Sequence, residues 1–245
     1  MKWEHSGFWP RYCAGSIPAA LATFQEREIM LYVIMCGGSY SHFEKPKALT
    51  VVKGEKLVKR TIRLLTEKGV DIDNIKISTN NPGFEKLGVE ILHHDNSFKL
   101  SYDENGNEKI EGYWLDAFIP LDEPVCYLFG DVYYTCKGIK TILGNRYPGN
   151  TFFGTINKKL RRWNEPLAYK VEDPESFFKG IEEVKSMYDR GECKRHPIVW
   201  ELYRYLNGID INKHFMLVET YVHVPDGGMD VDKLDQVKLI EKYYR

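Results

Sequence analysis

The apolar positions of this chain fall into short unbroken runs separated by amphipathic stretches, a rhythm that alternates buried strands with surface helices. Leu31-Tyr32-Val33-Ile34-Met35 and Val125-Cys126-Tyr127-Leu128-Phe129 are two such runs, each of strand length. Around them the pattern predicts a helix over 56–68, strands over 75–79 and 89–92, and helices over 113–119 and 135–143. Alternation of this kind implies a mostly parallel sheet covered by helices, and such sheets hold ligands at the carboxyl ends of their strands.

The rest of the chain is less regular. Asn105-Gly106, between Lys99-Leu100 and Lys109-Ile110, is the turn signature of a small hairpin. Further strands are expected over 151–156 and 167–171, and Asp173-Pro174-Glu175 starts an amphipathic helix that runs to Tyr188. A helix over 197–206, extended segments within 216–224 and a last helix from about Lys233 complete the reading. Residues 1–29 show neither a period of two nor one of 3.6 and stand apart as an N-terminal extension, with Met30 as a natural start. Residues 30–245 are expected to form a single domain.

Composition narrows the function class. With 34 basic and 35 acidic residues, the charge balance calls for neither a nucleic-acid nor a membrane partner. Five cysteines without a C-x-x-C pair offer no disulfide framework and no zinc knuckle. There is no run of 18 apolar residues and no signal-peptide layout, so a cytoplasmic protein is expected.

Candidate chemistry sits at the strand ends. Cys36-Gly37-Gly38-Ser39 closes the first apolar run, and adjacent glycines let backbone N–H groups come close to an anion, with Lys45 and Lys47 adding charge. Neither the Walker loop nor the G-x-G-x-x-G fingerprint is present. Gly130-Asp131 ends the second run; a carboxylate at the tip of a buried strand needs a partner, and a divalent cation is one, while capping of the next helix is another use for it. Met229-Asp230-Val231-Asp232-Lys233-Leu234-Asp235 supplies a second set of acids, which also reads as an ordinary helix start.

The order strand, Gly37-Gly38, Pro46-Lys47-Ala48-Leu49, a hairpin turning at Gly54 and a helix from Val58 resembles the opening of the sugar-phosphate nucleotidyltransferase superfamily. The resemblance implies an α/β, Rossmann-like, mostly parallel sheet flanked by helices, with a smaller antiparallel elaboration on the acceptor side. It implies magnesium held by Asp131 and Asp232, with Asp230 one residue out of phase and Asp235 as a capping acid. Cys36, Gly37, Gly38, Ser39 and Lys47 would then meet the nucleotide's phosphates, and Thr79, Asn80 and Trp114 its base, the other readings being plain turn chemistry over 78–81 and a core or interface aromatic at Trp114. Where such proteins carry an arginine after the glycines, this chain has Ser39, Tyr40 or Ser41, so Lys45 or His42 stands in as the cationic group beside the catalytic Asp131 and Lys47.

Arg195, Trp200 and Glu201 are the expected acceptor contacts, the other reading being a basic helix start with a buried tryptophan; Trp163-Asn164-Glu165-Pro166 is a second acceptor loop. The implied reaction moves a nucleoside monophosphate, CMP in first place, from a nucleoside triphosphate to a sugar phosphate or a small phosphorylated alcohol such as phosphocholine, on the way to surface polysaccharide precursors. Pyrophosphate leaves. A glycosyltransferase of the related nucleotide-sugar fold would end its strand in Asp-x-Asp, whereas Asp131 is followed by Val132-Tyr133. A molybdenum-cofactor guanylyltransferase and a catalytically silent nucleotide-binding or assembly protein are the remaining alternatives. Tyr203, Tyr205 and Tyr221 suit a homodimer interface as well as a pocket.

Overall fold

The computed structural model describes residues 30–37, 43, 45–105, 107–157, 162–214, 216–225 and 227–244. The extension expected over 1–29 lies outside the described residues, as do Gly38, Ser39, Tyr40, Ser41 and His42.

The first half contains β1 (Leu31–Met35), the hairpin β2 (Val51–Val52) and β3 (Glu55–Lys56), α1 (Leu57–Glu67), β4 (Ile75–Ser78) and β5 (Glu90–Leu92). A second hairpin follows, β6 (Lys99–Tyr102) and β7 (Glu108–Glu111), then β8 (Val125–Phe129), β9 (Val132–Tyr134) and α2 (Cys136–Gly144). The second half contains β10 (Thr151–Asn157), β11 (Arg162–Val171), α3 (Pro174–Asp189), α4 (Val199–Leu206), β12 (Tyr221–His223), β13 (Gly228–Asp230) and α5 (Leu234–Tyr243).

Seven strands form one sheet in the order β12-β10-β11-β8-β1-β4-β5. β1 is parallel to both β4 and β8, β5 is parallel to β4, and β12 is parallel to β10; only β11 runs against its neighbours. The expected mostly parallel sheet is present. β8 is buried along its whole length, and Val33 and Ile34 of β1 are fully buried, which is why both read as unbroken apolar runs.

β1 and β8 pair in register from Leu31 against Val125 to Met35 against Phe129, so their carboxyl ends lie side by side. The Gly130 N–H donates to the Met35 carbonyl at 3.0 Å, and a Cβ at position 130 would stand 2.4 Å from that oxygen. The glycine before Asp131 is therefore set by the close approach of two backbones.

Several elements differ from the sequence reading. The helix expected over 113–119 is a single 3-10 turn, Trp114–Ala117. Phe118 leaves helical geometry to bury its ring against Tyr127 and Phe177, and Pro120 disfavours helix at the residue before it. β11 begins at Arg162, so Trp163-Asn164-Glu165-Pro166 lies in a strand, where a loop was expected. The extended stretch within 216–224 condenses to β12, and the pair β9–β13 has no counterpart in the sequence reading. No helix among the described residues is long and apolar enough to cross a membrane.

Two glycine substitutions test the packing at the site's edge. Gly130→Ala is expected to lower stability by about 2 kcal/mol, because strand backbone must shift. Gly144→Ala, at the end of α2 with nothing within 4 Å of the added carbon, is expected to change it by less than about 0.5 kcal/mol. Urea denaturation of both variants checks the contrast; equal losses would remove the steric account.

Candidate active site

Two distant parts of the chain meet beside the end of β8. β9 pairs antiparallel with β13, placing Asp230 opposite Val132, and the Val231 N–H donates to the Asp131 carbonyl at 3.0 Å. Asp230 ends β13 and Asp232 follows it by two residues, in the bend that leads into α5. Carboxylate oxygens of Asp131, Asp230 and Asp232 consequently lie within 4.8 Å of one another, a group able to hold a metal ion. Asp230, out of phase in the sequence reading, is thus part of the cluster together with Asp232.

Lys47 completes it. The residue opens a 3-10 turn, Lys47–Leu49, whose Ala48 is buried, and the Leu49 N–H returns to the Pro46 carbonyl at 2.8 Å. Its Nζ lies 2.6 Å from Asp232 Oδ1 and 3.2 Å from Asp131 Oδ2. Burial alone would lower the Lys47 pKa, but the carboxylates of Asp131, Asp232 and Asp230 outweigh it and hold the ammonium charged. The Asp230 carboxyl is pushed well above the ordinary range by burial first and then by Asp131 and Asp232, against the pull of Lys47.

Asp230 Oδ1 is buried and has no hydrogen-bond partner among the described residues. An orphaned acceptor among three carboxylates is the donor set of a hard divalent cation with oxygen ligands, such as magnesium. The residues fit that group. Glu165, buried in β11, lies behind the cluster, and its Oε2 accepts the Asp230 N–H at 3.4 Å.

A pocket of about 240 Å³ adjoins these acids. The strand ends contribute Met35, Cys36, Gly37, Lys47 and Asp131 to its lining, and the 96–117 segment contributes Asn96, Phe98, Leu100, Trp114 and Ala117. Trp114 packs edge-on against Phe118 and tilted against Phe129. The Cys36 thiol is buried; burial first and Asp131 second push its pKa up, so it stays neutral.

The other expected contacts are placed elsewhere. Lys45 is exposed and does not line the pocket. Thr79 is buried and ties strand ends together: its hydroxyl donates to the Cys36 carbonyl at 3.3 Å and accepts the Asn81 N–H at 3.1 Å. The Asn80 amide is bonded to Asp95, outside the pocket lining.

Arg195, Trp200 and Glu201, the expected acceptor contacts, do not line this pocket; Glu201 is buried, Trp200 half-buried and Arg195 exposed. Glu201 is 1% exposed, pairs with Arg204 and with Arg195 Nε at 2.8 Å, and accepts the Ile198 N–H at 3.1 Å. Trp200 meets Phe152 edge-on with centroids 4.7 Å apart and contacts Tyr203 and Tyr221. The buried Glu201 charge is compensated by these two arginines. The neighbour His196 instead reaches the pocket wall: its ring lies 5.4 Å from Phe98 and 5.8 Å from Tyr113, and Nε2 contacts the Gly112 carbonyl at 3.0 Å. Sequence reasoning missed His196, Asn96 and Phe98, and only the Asn-x-Phe turn chemistry carried a signal for them.

No family model matches the chain, and no curated protein matches it. Solved structures do. CTP:phosphocholine cytidylyltransferase from Streptococcus pneumoniae superposes with a TM-score of 0.54 at 14% identity, over 88% of this chain and 99% of that one. A nucleoside-diphosphate-sugar pyrophosphorylase from Vibrio cholerae gives 0.53 at 10% identity, over 86% and 100%. The 4-diphosphocytidyl-2C-methyl-D-erythritol synthase from Anaerococcus prevotii gives 0.52 at 12% identity, over 88% and 98%. At these coverages and identities the chain shares the fold of these three structures.

Proposed function

We propose that the chain is a magnesium-dependent nucleotidyltransferase that moves a nucleoside monophosphate from a triphosphate to a phosphorylated small molecule and releases pyrophosphate. CTP is the proposed nucleotide, with a sugar phosphate or phosphocholine as acceptor. The observation that carries the reading is the meeting of Asp131, Asp230, Asp232 and Lys47 beside the glycine end of β1, next to an aromatic-walled pocket. Two structural relatives are named for CTP with phosphocholine and for a diphosphocytidyl product, which supports cytidine here.

Asp131, Asp230 and Asp232 would hold the magnesium, which when bound supplies charge neutralisation and orientation at the reacting phosphate. Lys47 adds a fixed cation where negative charge develops on the α-phosphate. Gly37, exposed and without a side chain, lets phosphate oxygens approach backbone. Trp114 and Phe98 give an apolar surface for a planar ring and keep water from it. An acceptor phosphate oxygen attacks the α-phosphorus in line; the new O–P bond forms as the bond to the bridging oxygen breaks, and pyrophosphate leaves with that electron pair. The chain needs no nucleophile of its own, in keeping with the buried, neutral Cys36.

One observation favours a glycosyltransferase as the second reading: Asp230-Val231-Asp232 is itself an Asp-x-Asp. The products separate the two. Acceptor-dependent pyrophosphate from a panel of CTP, UTP, GTP and ATP with phosphocholine and sugar 1-phosphates is the expected result. Nucleoside diphosphate released from nucleotide sugars, with no pyrophosphate, would overturn it. Asp131→Asn is expected to reduce turnover at least about 10³-fold with an unchanged circular dichroism spectrum; near-normal pyrophosphate release would take Asp131 out of the chemistry.

Metal binding has its own signature. Saturating magnesium is expected to raise Tm by about 5 °C, the increment for a ligand worth about 2 kcal/mol. Asp230→Asn should raise the metal-free Tm, by removing repulsion at a buried carboxyl, and abolish the magnesium increment. A thermal scan of both proteins with and without the ion checks it, and an undiminished increment in the variant would exclude Asp230 as a ligand.

A further inference from the structure

A second cavity, of about 400 Å³, lies at the amino ends of β1 and β8. These strands give Met35 and Phe129 to the pocket beside the acids, and Tyr32 and Cys126 to this cavity. Three residues along a strand amount to about 10 Å and a change of face, so the two spaces are separate. Met30, Val70, Ile142 and Leu143 supply apolar wall.

The charged lining is Lys68, Arg146 and Lys170 against one acid, Glu172, which leaves a surplus of two positive charges. The acid is already engaged: Oε1 accepts from Lys170 Nζ at 2.8 Å and Oε2 accepts the Gly149 N–H at 2.6 Å. Lys170 is 6% exposed and also donates to the Tyr147 carbonyl at 2.6 Å. An ammonium carries three donors, so one is left. Arg146 Nη1 donates to the Leu143 carbonyl at 3.2 Å, which anchors the guanidinium. Its other N–H groups, and the Lys68 ammonium, have no partner among the described residues. Lys68 is not needed to cap α1, because the Gly69 and Val70 N–H groups return to the Thr66 and Leu65 carbonyls at 2.9 and 3.1 Å. The Tyr32 hydroxyl is likewise without a hydrogen-bond partner among the described residues. Burial first and Cys126 second push this phenol up to about 12, against the pull of Arg146, so it is a neutral donor at neutral pH. The side-chain groups left over can all donate, and the surplus charge is positive.

We propose that this cavity is a second ligand site, for a small phosphate monoester whose phosphate meets Lys68, Arg146, Tyr32 and the third Lys170 donor and whose carbon skeleton packs on the apolar wall. A doubly ionised monoester cancels the surplus charge. The volume falls within the range of small-molecule sites. The proposal does not depend on the nucleotidyltransferase reading.

Isothermal titration of the full chain with glycerol 2-phosphate and with inorganic phosphate tests it, in EDTA so that no metal draws either probe to the acids. The ester is expected to bind at least about threefold more tightly than inorganic phosphate, the worth of burying about one methylene. Lys68→Gln combined with Arg146→Gln should weaken ester binding at least about tenfold, and Tyr32→Phe, which keeps the ring, about fivefold. Lys86→Gln combined with Lys213→Gln removes the same charge at two exposed positions outside both linings, and should change it by less than about twofold. Lys47→Gln, in the other pocket, should likewise leave it within about twofold. No binding by the wild-type chain up to about 10 mM, or equal losses in the two double variants, would overturn the site. Loss in Lys47→Gln with none in the Lys68 and Arg146 variant would place the ester beside the acids and overturn it too. Equal affinity for the two probes would make free phosphate the ligand and overturn the ester.

Discussion

Three carboxylates held within 4.8 Å of one another repel, and the site exists because something stronger holds them there. Part of the restraint is the β9–β13 ladder, which fixes Asp230 against Val132. The rest is packing: Tyr133 and Met229 from these strands and Val231 just after β13 bury their side chains with Val52, Leu57 and Ile240 in a small second core. At roughly 1.5–3 kcal/mol for each fully buried large apolar side chain, three of them supply several kcal/mol. Asp232, half exposed, is screened by solvent, so its share of the repulsion is the smaller one. Burial beneath the acids thus outweighs repulsion among them.

The same geometry explains why the pocket lies where it does. In-register pairing brings the ends of β1 and β8 level, and Gly130 lets the two backbones approach closely enough for Asp131 to stand beside Cys36 and Gly37. The opposite wall comes from the segment before and after the β6–β7 hairpin, and His196, from the loop ahead of α4, joins that wall to the second half of the chain. A site assembled from so many separate segments depends on tertiary packing rather than on any one motif.

What was legible in sequence follows from this division. β1 and β8 were bounded to the residue because an apolar run buried on both faces has no competing period. Asp131 was visible as an acid at a strand tip. β9 and β13 were not, since strands of three residues carry too little alternation, and without their pairing Asp230 looked like a register error. Arg195, Trp200 and Glu201 were expected to meet the acceptor; the partners Glu201 and Trp200 take, Arg204 and Phe152 among them, are known only from the folded chain. The Thr79 hydroxyl donates to the Cys36 carbonyl, a tie between strand ends that only the folded chain displays.

Lys47 gives the cluster its electrostatic logic. Three carboxylates and one ammonium sum to −3 + 1 = −2 when all are ionised, the charge that one divalent cation cancels. Without such an ion the set is unbalanced, and the structure answers at its most buried member: Asp230 favours its neutral form, while Lys47 is drawn between the two outer acids. Two lone-pair acceptors tied to a lysine can be handed to a cation at little structural cost, because Asp131 lies between β8 and β9 and Asp232 lies two residues past β13, so paired strands anchor the backbone beside both. On the proposed reading the ammonium would then remain beside the pocket as a positive charge for an incoming phosphate, so the residue that neutralises the acids would also meet the substrate.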